Sequence, residues 1–233
     1  MKKSLLWILP LLFLLTACGG GGGSDSGDSG GSPLNGSPTD SSTDFSLFPP
    51  GFFDSGYNSS LGLKGQDNQG RDFSGIYSQY TEGPGTVGSE PAWGIHTNIT
   101  FQGGGLYALA DTVDYYSLDP SDRRLMGYDG DSRSVTVTGL TAIPETARIG
   151  DSGPVGVYTD SDGSIFALEW WLQDGFNGRA LLVLKSTGRT ASGALDNTTE
   201  TRYLIEPDGT RIWMELESYN TTVDLRVTMN GYY

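Results

Sequence analysis

The sequence predicts an all-β protein, an antiparallel, hairpin-rich barrel or sandwich of about eight to ten strands, and three observations carry that prediction. The first is a hydrophobic period of two. In Thr222–Met229, Val223, Leu225, Val227 and Met229 share one face, and Thr222, Asp224, Arg226 and Thr228 share the other, the pattern of a half-buried strand rather than a helix. The second is glycine, 35 of 233 residues, roughly twice the usual share, with Asp162-Gly163 and Asp208-Gly209 as dipeptides that tolerate the positive φ of hairpin turns. The third is an internal echo. A short strand, a Gly-containing turn and a Leu or Ile followed by an aromatic recur at Ile99–Leu109, Val157–Leu168 and Leu204–Leu216, each reading as a hairpin.

Taken from the N-terminus, Lys2 and Lys3 followed by the apolar run Leu5–Leu15 and then small residues form a secretory signal, much shorter than the ~20 residues of a spanning helix. Leu15-Thr16-Ala17-Cys18 resembles the lipobox of bacterial outer-membrane lipoproteins. The resemblance implies cleavage after residue 17 and a diacylglyceryl group on the Cys18 thiol, with acyl chains such as palmitate as the lipid anchor. Gly19 stands where enteric members of the family carry the Asp that retains them in the inner membrane, so export to the outer membrane is implied, with the face of that membrane left open. Cys18 is the only cysteine, which leaves the exported fold without disulfides.

Residues 18–71 read as a lipidated tether. Gly19–Asp44 contains one large apolar residue, Leu34, and cannot bury enough surface to offset its ordering entropy, which predicts disorder. Its poly-glycine start resembles that of surface lipoproteins of the transferrin-binding and factor-H-binding kind. An aromatic segment follows at 45–57, with Phe45, Phe48, Phe52, Phe53 and Tyr57 around Pro49-Pro50, where proline excludes a helix. It either docks a partner or lipid surface, or latches onto its own domain, because an exposed cluster of Phe is costly. Tyr57–Arg71 returns to polar composition and reads as linker.

The folded body is placed at residues 72–233, enough for one core. Ser134–Thr138, Ser164–Leu172, Arg179–Lys185, Arg202–Glu206 and Arg211–Glu217 are rich in β-branched and aromatic residues, and Ser186-Thr187-Gly188 offers a further turn. One short helical turn is expected after Asp119, which caps, with Pro120 at the first position.

Composition and motifs narrow the chemistry. A net charge of −14 repels a phosphate backbone, so nucleic acid is not an expected partner. One His and one Cys do not make a zinc site of the usual kind, and neither a metal nor a cofactor is expected. Asp160-Ser-Asp162-Gly-Ser164 and Asp129-Gly-Asp131 place carboxylates at alternate positions, as calcium loops do, but lack the distal Glu and read as turns. Gly150-Asp151-Ser152-Gly153-Pro154 resembles the nucleophile loop of chymotrypsin-like proteases, without that motif's second glycine. His96 lies too near Ser152 in the chain for that family's two barrels, so the segment reads as a loop.

Three functional readings remain, and a binding or structural role without catalysis leads. Alternation places Trp170 in the core with Phe166, Leu168 and Leu172. It puts Trp171 outside with Glu169, and Trp213 outside with Arg211, Glu215 and Glu217. Trp171, Trp213, Glu169, Glu215 and Arg211 would then form a platform for a glycan or an envelope protein, aromatic rings stacking while charged groups fix polar ones. Alternatively the aromatics line a barrel that carries a small apolar ligand, as in calycins; Gly75-Ile76-Tyr77 resembles the opening strand of lipocalins, without their Trp. The remaining alternative is a glycan hydrolase using strand carboxylates such as Glu169, Glu215 and Glu217.

Overall fold

The computed structural model describes residues 33–129 and 135–233. The signal peptide, Cys18, the first part of the tether and Asp131 lie outside the described residues. The chain forms strands β1 (Phe45–Ser46), β2 (Asn58–Asp67), β3 (Asp72–Val87), β4 (Glu90–Gly103), β5 (Leu106–Ser117), β6 (Leu125–Asp129), β7 (Val135–Thr138), β8 (Thr146–Ala147), β9 (Ser152–Asp160), β10 (Ile165–Phe176), β11 (Arg179–Arg189), β12 (Leu195–Ile205), β13 (Arg211–Asn220) and β14 (Leu225–Tyr232). A single turn of 3₁₀ helix spans Pro120–Asp122, its N-terminus capped by the Asp119 side chain accepting from the Ser121 amide.

Twelve strands make one antiparallel sheet in the order β6-β5-β4-β3-β2-β14-β13-β12-β11-β10-β9-β7, more strands than the expected eight to ten. The sheet curls into a nearly closed barrel. Across the seam the Tyr158 hydroxyl on β9 donates to the Leu125 carbonyl on β6 at 2.8 Å, and the Tyr128 and Tyr158 rings lie 5.9 Å apart. The three echoing hairpins are β4–β5, β9–β10 and β12–β13; the last two turn on Gly163 and Gly209 at φ of 85° and 86°. Ser186-Thr187-Gly188 lies within β11 instead of turning. On β14, Leu225, Val227 and Met229 are buried as alternation requires, whereas Val223 falls in the preceding turn and is exposed.

The domain starts earlier than residue 72. Asn58–Asp67 is strand β2, paired with β3 on one side and β14 on the other, so the segment read as linker joins the two chain ends of the barrel. Its polar composition hides an inward row of Leu61 and Leu63, both buried. Gly65 answers to close backbone contact: a Cβ there would stand 1.8 Å from the Thr228 carbonyl oxygen.

The aromatic segment is a latch. Phe45 and Leu47 are buried, and β1 pairs with β8 in a two-stranded sheet. Phe48, Phe52 and Phe53 pack edge-on or stacked against one another and against Tyr116, at centroid separations of 5.0–6.1 Å. The Arg123 guanidinium covers Phe53 at 3.8 Å. Upstream, the described end of the expected tether is docked. Ser37 and Thr39 amides donate to Asn177 Oδ1 and Asp174 Oδ1, both at 3.1 Å, and Arg148 pairs with Asp44 at 2.7 Å.

The core lies inside the barrel, where Leu63, Ile99, Met214, Leu216 and Met229 are almost wholly excluded from solvent. The outer face of β11–β14 is charged: Arg202 bridges Glu200 and Glu215, and Arg226 pairs with Glu217. Such a face belongs in water, since a membrane-spanning barrel turns an apolar band outward.

Candidate functional site

The barrel interior is not solid. Next to the latch it holds a cavity of about 130 Å³, lined by apolar side chains that include Ile99, Phe166, Trp170 and Leu182, and by polar ones from facing strands. Leu47, Phe48 and Phe52 of the latch form part of its wall. Strand alternation delivers this lining. On β5, Ala110, Thr112, Asp114 and Tyr116 point inward while Asp111 and Val113 point out; on β10, Phe166, Leu168 and Trp170 point inward.

The polar lining is connected. Arg211 Nη1 donates to Gln79 Oε1 at 2.6 Å, Gln79 Nε2 donates to Thr97 Oγ1 at 3.1 Å, and the Thr97 hydroxyl lies 3.5 Å from Asp114 Oδ2. The Arg211 guanidinium sits over the Tyr203 ring at 3.9 Å, with Phe52 of the latch 5.6 Å away. The Tyr203 and Tyr77 hydroxyls share a hydrogen bond of 2.7 Å. Burial raises both phenols, and that of Tyr116, above the ordinary tyrosine range, which keeps them neutral. Two atoms of this line are left without partners, Arg211 Nε and one oxygen of Asp114. That oxygen, Oδ1, is buried, and burial pushes the Asp114 carboxyl up to about 7, the long Thr97 contact opposing only weakly.

The structure divides the expected surface platform. Trp170 is in the core at 5% exposure, as alternation predicts. Trp171 and Glu169 remain outside, beside Ser152 and Pro154 in a shallow depression. Trp213 also faces outward but is 3% exposed, buried in a cluster with Leu181, Val183 and Leu204 against which Leu34 of the expected tether packs. Glu215 is held by Arg202. Arg211 is inside. Strict alternation from Met214 would put it out, but a register shift between Leu204 and Ile205 leaves Ile212 as the extra residue and turns Arg211 inward, as a β-bulge does.

The other motifs resolve locally. Ser152 opens β9 opposite Trp171, while His96 lies on the outer face of β4, stacked on Tyr80 and bonded to Asp111 and Glu82, so Ser152 and His96 are not brought together. Asp160–Ser164 is a hairpin turn, with Asp162 Oδ1 accepting from the Ser164 amide. Among the described residues no group of three His, Cys, Asp or Glu side chains is placed to hold a metal ion.

Comparison with protein-family models, with curated proteins and with solved structures finds no match to this chain. Its function is therefore argued from the cavity. The inward roles of Asp114, Gln79 and Arg211 were missed from sequence, although for Asp114 a signal exists: Leu106, Ala108, Ala110, Thr112, Asp114 and Tyr116 fall on one alternating face.

Proposed function

We propose that this chain is a lipoprotein anchored to the outer membrane through Cys18, and that its barrel carries a small, largely apolar ligand. The observation behind the ligand reading is the aromatic and aliphatic cavity of about 130 Å³. Protein interiors close-pack with few voids larger than a water molecule, and an apolar cavity of roughly 150 Å³ takes up a ligand of benzene size. The anchoring reading rests on Leu15-Thr16-Ala17-Cys18 after a signal-type apolar run.

Two rival readings have less support. The surface platform retains only Trp171 and Glu169 as accessible neighbours, because Trp213 is covered and Arg211 points inward. For glycan hydrolysis, Glu215 and Glu217 lie on the convex outer face, tied up by Arg202 and Arg226, and Glu169 is three strands away along the sheet. No opposed carboxylate pair results.

Toluene tests the carrier reading. It should raise the melting temperature of the wild-type protein in a saturable way, and Ala110→Phe, which fills the cavity from β5, should remove the effect while leaving the circular dichroism unchanged. A wild-type melting temperature indifferent to toluene overturns the reading. For the anchor, Cys18→Ala should move the protein from the membrane fraction to the soluble one; a variant still in the membrane fraction overturns that part.

A further inference from the structure

The cavity is mostly apolar, yet two charged side chains in its wall each keep a buried atom without a hydrogen-bond partner, Asp114 Oδ1 and Arg211 Nε. Asp114 Oδ1 is buried and without a hydrogen-bond partner, and Oδ2 has only the Thr97 hydroxyl at 3.5 Å. Buried carboxylates are ordinarily paired or fully hydrogen-bonded, because an unmet one costs several kcal/mol. Arg211, the cation in the same cavity, is not its partner. Gln79 and Thr97 stand between them in the hydrogen-bonded line, and the guanidinium is turned to Gln79 and the Tyr203 ring, its Nε without an acceptor.

The surroundings of Asp114 suit a cation. Tyr116 neighbours it on β5, Tyr128 lies opposite on β6, Tyr158 faces from β9 and Tyr203 from β12. His96 acts on it from the outer face of β4, and Arg211 is the charged group towards the latch. Aromatic rings around a carboxylate are the means by which proteins recognise organic ammonium groups.

We propose that the ligand of this cavity is a small organic amine, its ring or hydrocarbon part packed among the aromatics and its ammonium group ion-paired with Asp114. The proposal rests on the carrier reading above and adds the ligand's charge. Below about pH 7 binding converts a largely protonated buried acid into a paired carboxylate: the Asp114 carboxyl releases its proton to solvent, and the ligand ammonium, already charged, occupies the vacated position. At pH 8 the carboxylate is already ionised and pairs directly. Affinity should therefore rise with pH as Asp114 ionises, and a proton should be released on binding below about pH 7.

Three probes of one shape separate the outcomes: benzylamine, toluene and benzoate, each titrated by calorimetry into the full-length protein at pH 5 and pH 8. The proposal requires benzylamine to bind roughly tenfold or more tighter than toluene at pH 8, to lose most of that advantage at pH 5, and to release a proton at pH 5 but hardly any at pH 8, seen as a heat that depends on the buffer. Asp114→Asn should bind benzylamine no better than toluene. Should that variant fail to fold, the wild-type pH dependence and proton release decide alone. Equal binding of the three probes, or tighter binding of benzoate, overturns the amine assignment and leaves the carrier reading standing. Binding of none of them overturns both.

Discussion

Arg211 donates a 2.6 Å hydrogen bond to the side-chain oxygen of Gln79, and this contact between β13 and β3 begins the polar line that crosses the cavity wall to Asp114. Both partners sit where an unmet polar group is expensive. Gln79→Leu should cost about 1–3 kcal/mol, since it strips both Arg211 and Thr97 of a partner. Urea denaturation measures this, and a loss below ~0.5 kcal/mol would show that water replaces Gln79.

The docked end of the tether predicts a second effect. Leu34 packs against the buried cluster of Leu181, Val183, Leu204 and Trp213, in which Trp213 is 3% exposed. Deleting residues 33–44 should red-shift the tryptophan emission and lower stability by about 1–3 kcal/mol, the burial of a Leu side chain and its neighbours. Trp213→Ala should cost about 3–5 kcal/mol, as a core aromatic does. An unchanged emission spectrum would mean that Leu34 leaves Trp213 without cover.

Latch and barrel meet at the β12–β13 turn. Gly209 has φ of 86°, and a Cβ there would stand 2.3 Å from the Phe48 carbonyl oxygen. Gly209→Ala is therefore both strained and obstructed. It should destabilise by about 1–3 kcal/mol and speed proteolysis near Pro49-Pro50. Wild-type resistance in the variant would show that the latch does not depend on this approach.

Stability should fall from mildly acid to mildly alkaline pH. Burial raises the Asp114 carboxyl from 3.8 to about 7, so between those values the folded chain holds a proton that the unfolded chain has released, and stability declines as pH rises. His96 adds to the decline. Burial lowers its pKa, but hydrogen bonds to Asp111 and Glu82 outweigh that and raise it above 6.5, so its contribution is complete below 6.5 and is lost as pH rises through the folded value. Asp67 acts oppositely. Although burial raises it, bonds from Arg71 and the Gln69 amide hold it below 3.8, and its contribution is lost only as pH falls below that. Melting temperatures from pH 4 to 9 check the signs: Asp114→Asn should flatten the lower part of the decline and His96→Gln the upper part.

The sequence carried the hairpins and the core face of β10 and β14, because Asp-Gly turns and strict alternation act locally. It did not carry β2, whose polar composition conceals Leu61 and Leu63 and whose partner β14 is distant in the chain. Nor did it carry the inward turn of Arg211, since a single bulge residue, Ile212, inverts the faces beyond it. Leu34 looked like a stray apolar residue in a tether, and only the fold reveals the Trp213 cluster that it packs against. Asp114 lay on an alternating face with Leu106, Ala108 and Ala110, but the opposite face also mixes apolar residues, Leu109 and Val113, with a carboxylate, Asp111, so the sequence does not say which face turns inward.

The central claim is that the barrel interior holds a ligand. A crystal structure of the protein soaked in benzylamine at pH 8 tests it most directly. The account predicts ordered density inside the barrel, among Phe166, Trp170 and Tyr116, with its amine nitrogen within hydrogen-bond distance of Asp114. An unaltered interior, with the ring absent or bound only at Trp171 on the outer face, would contradict it.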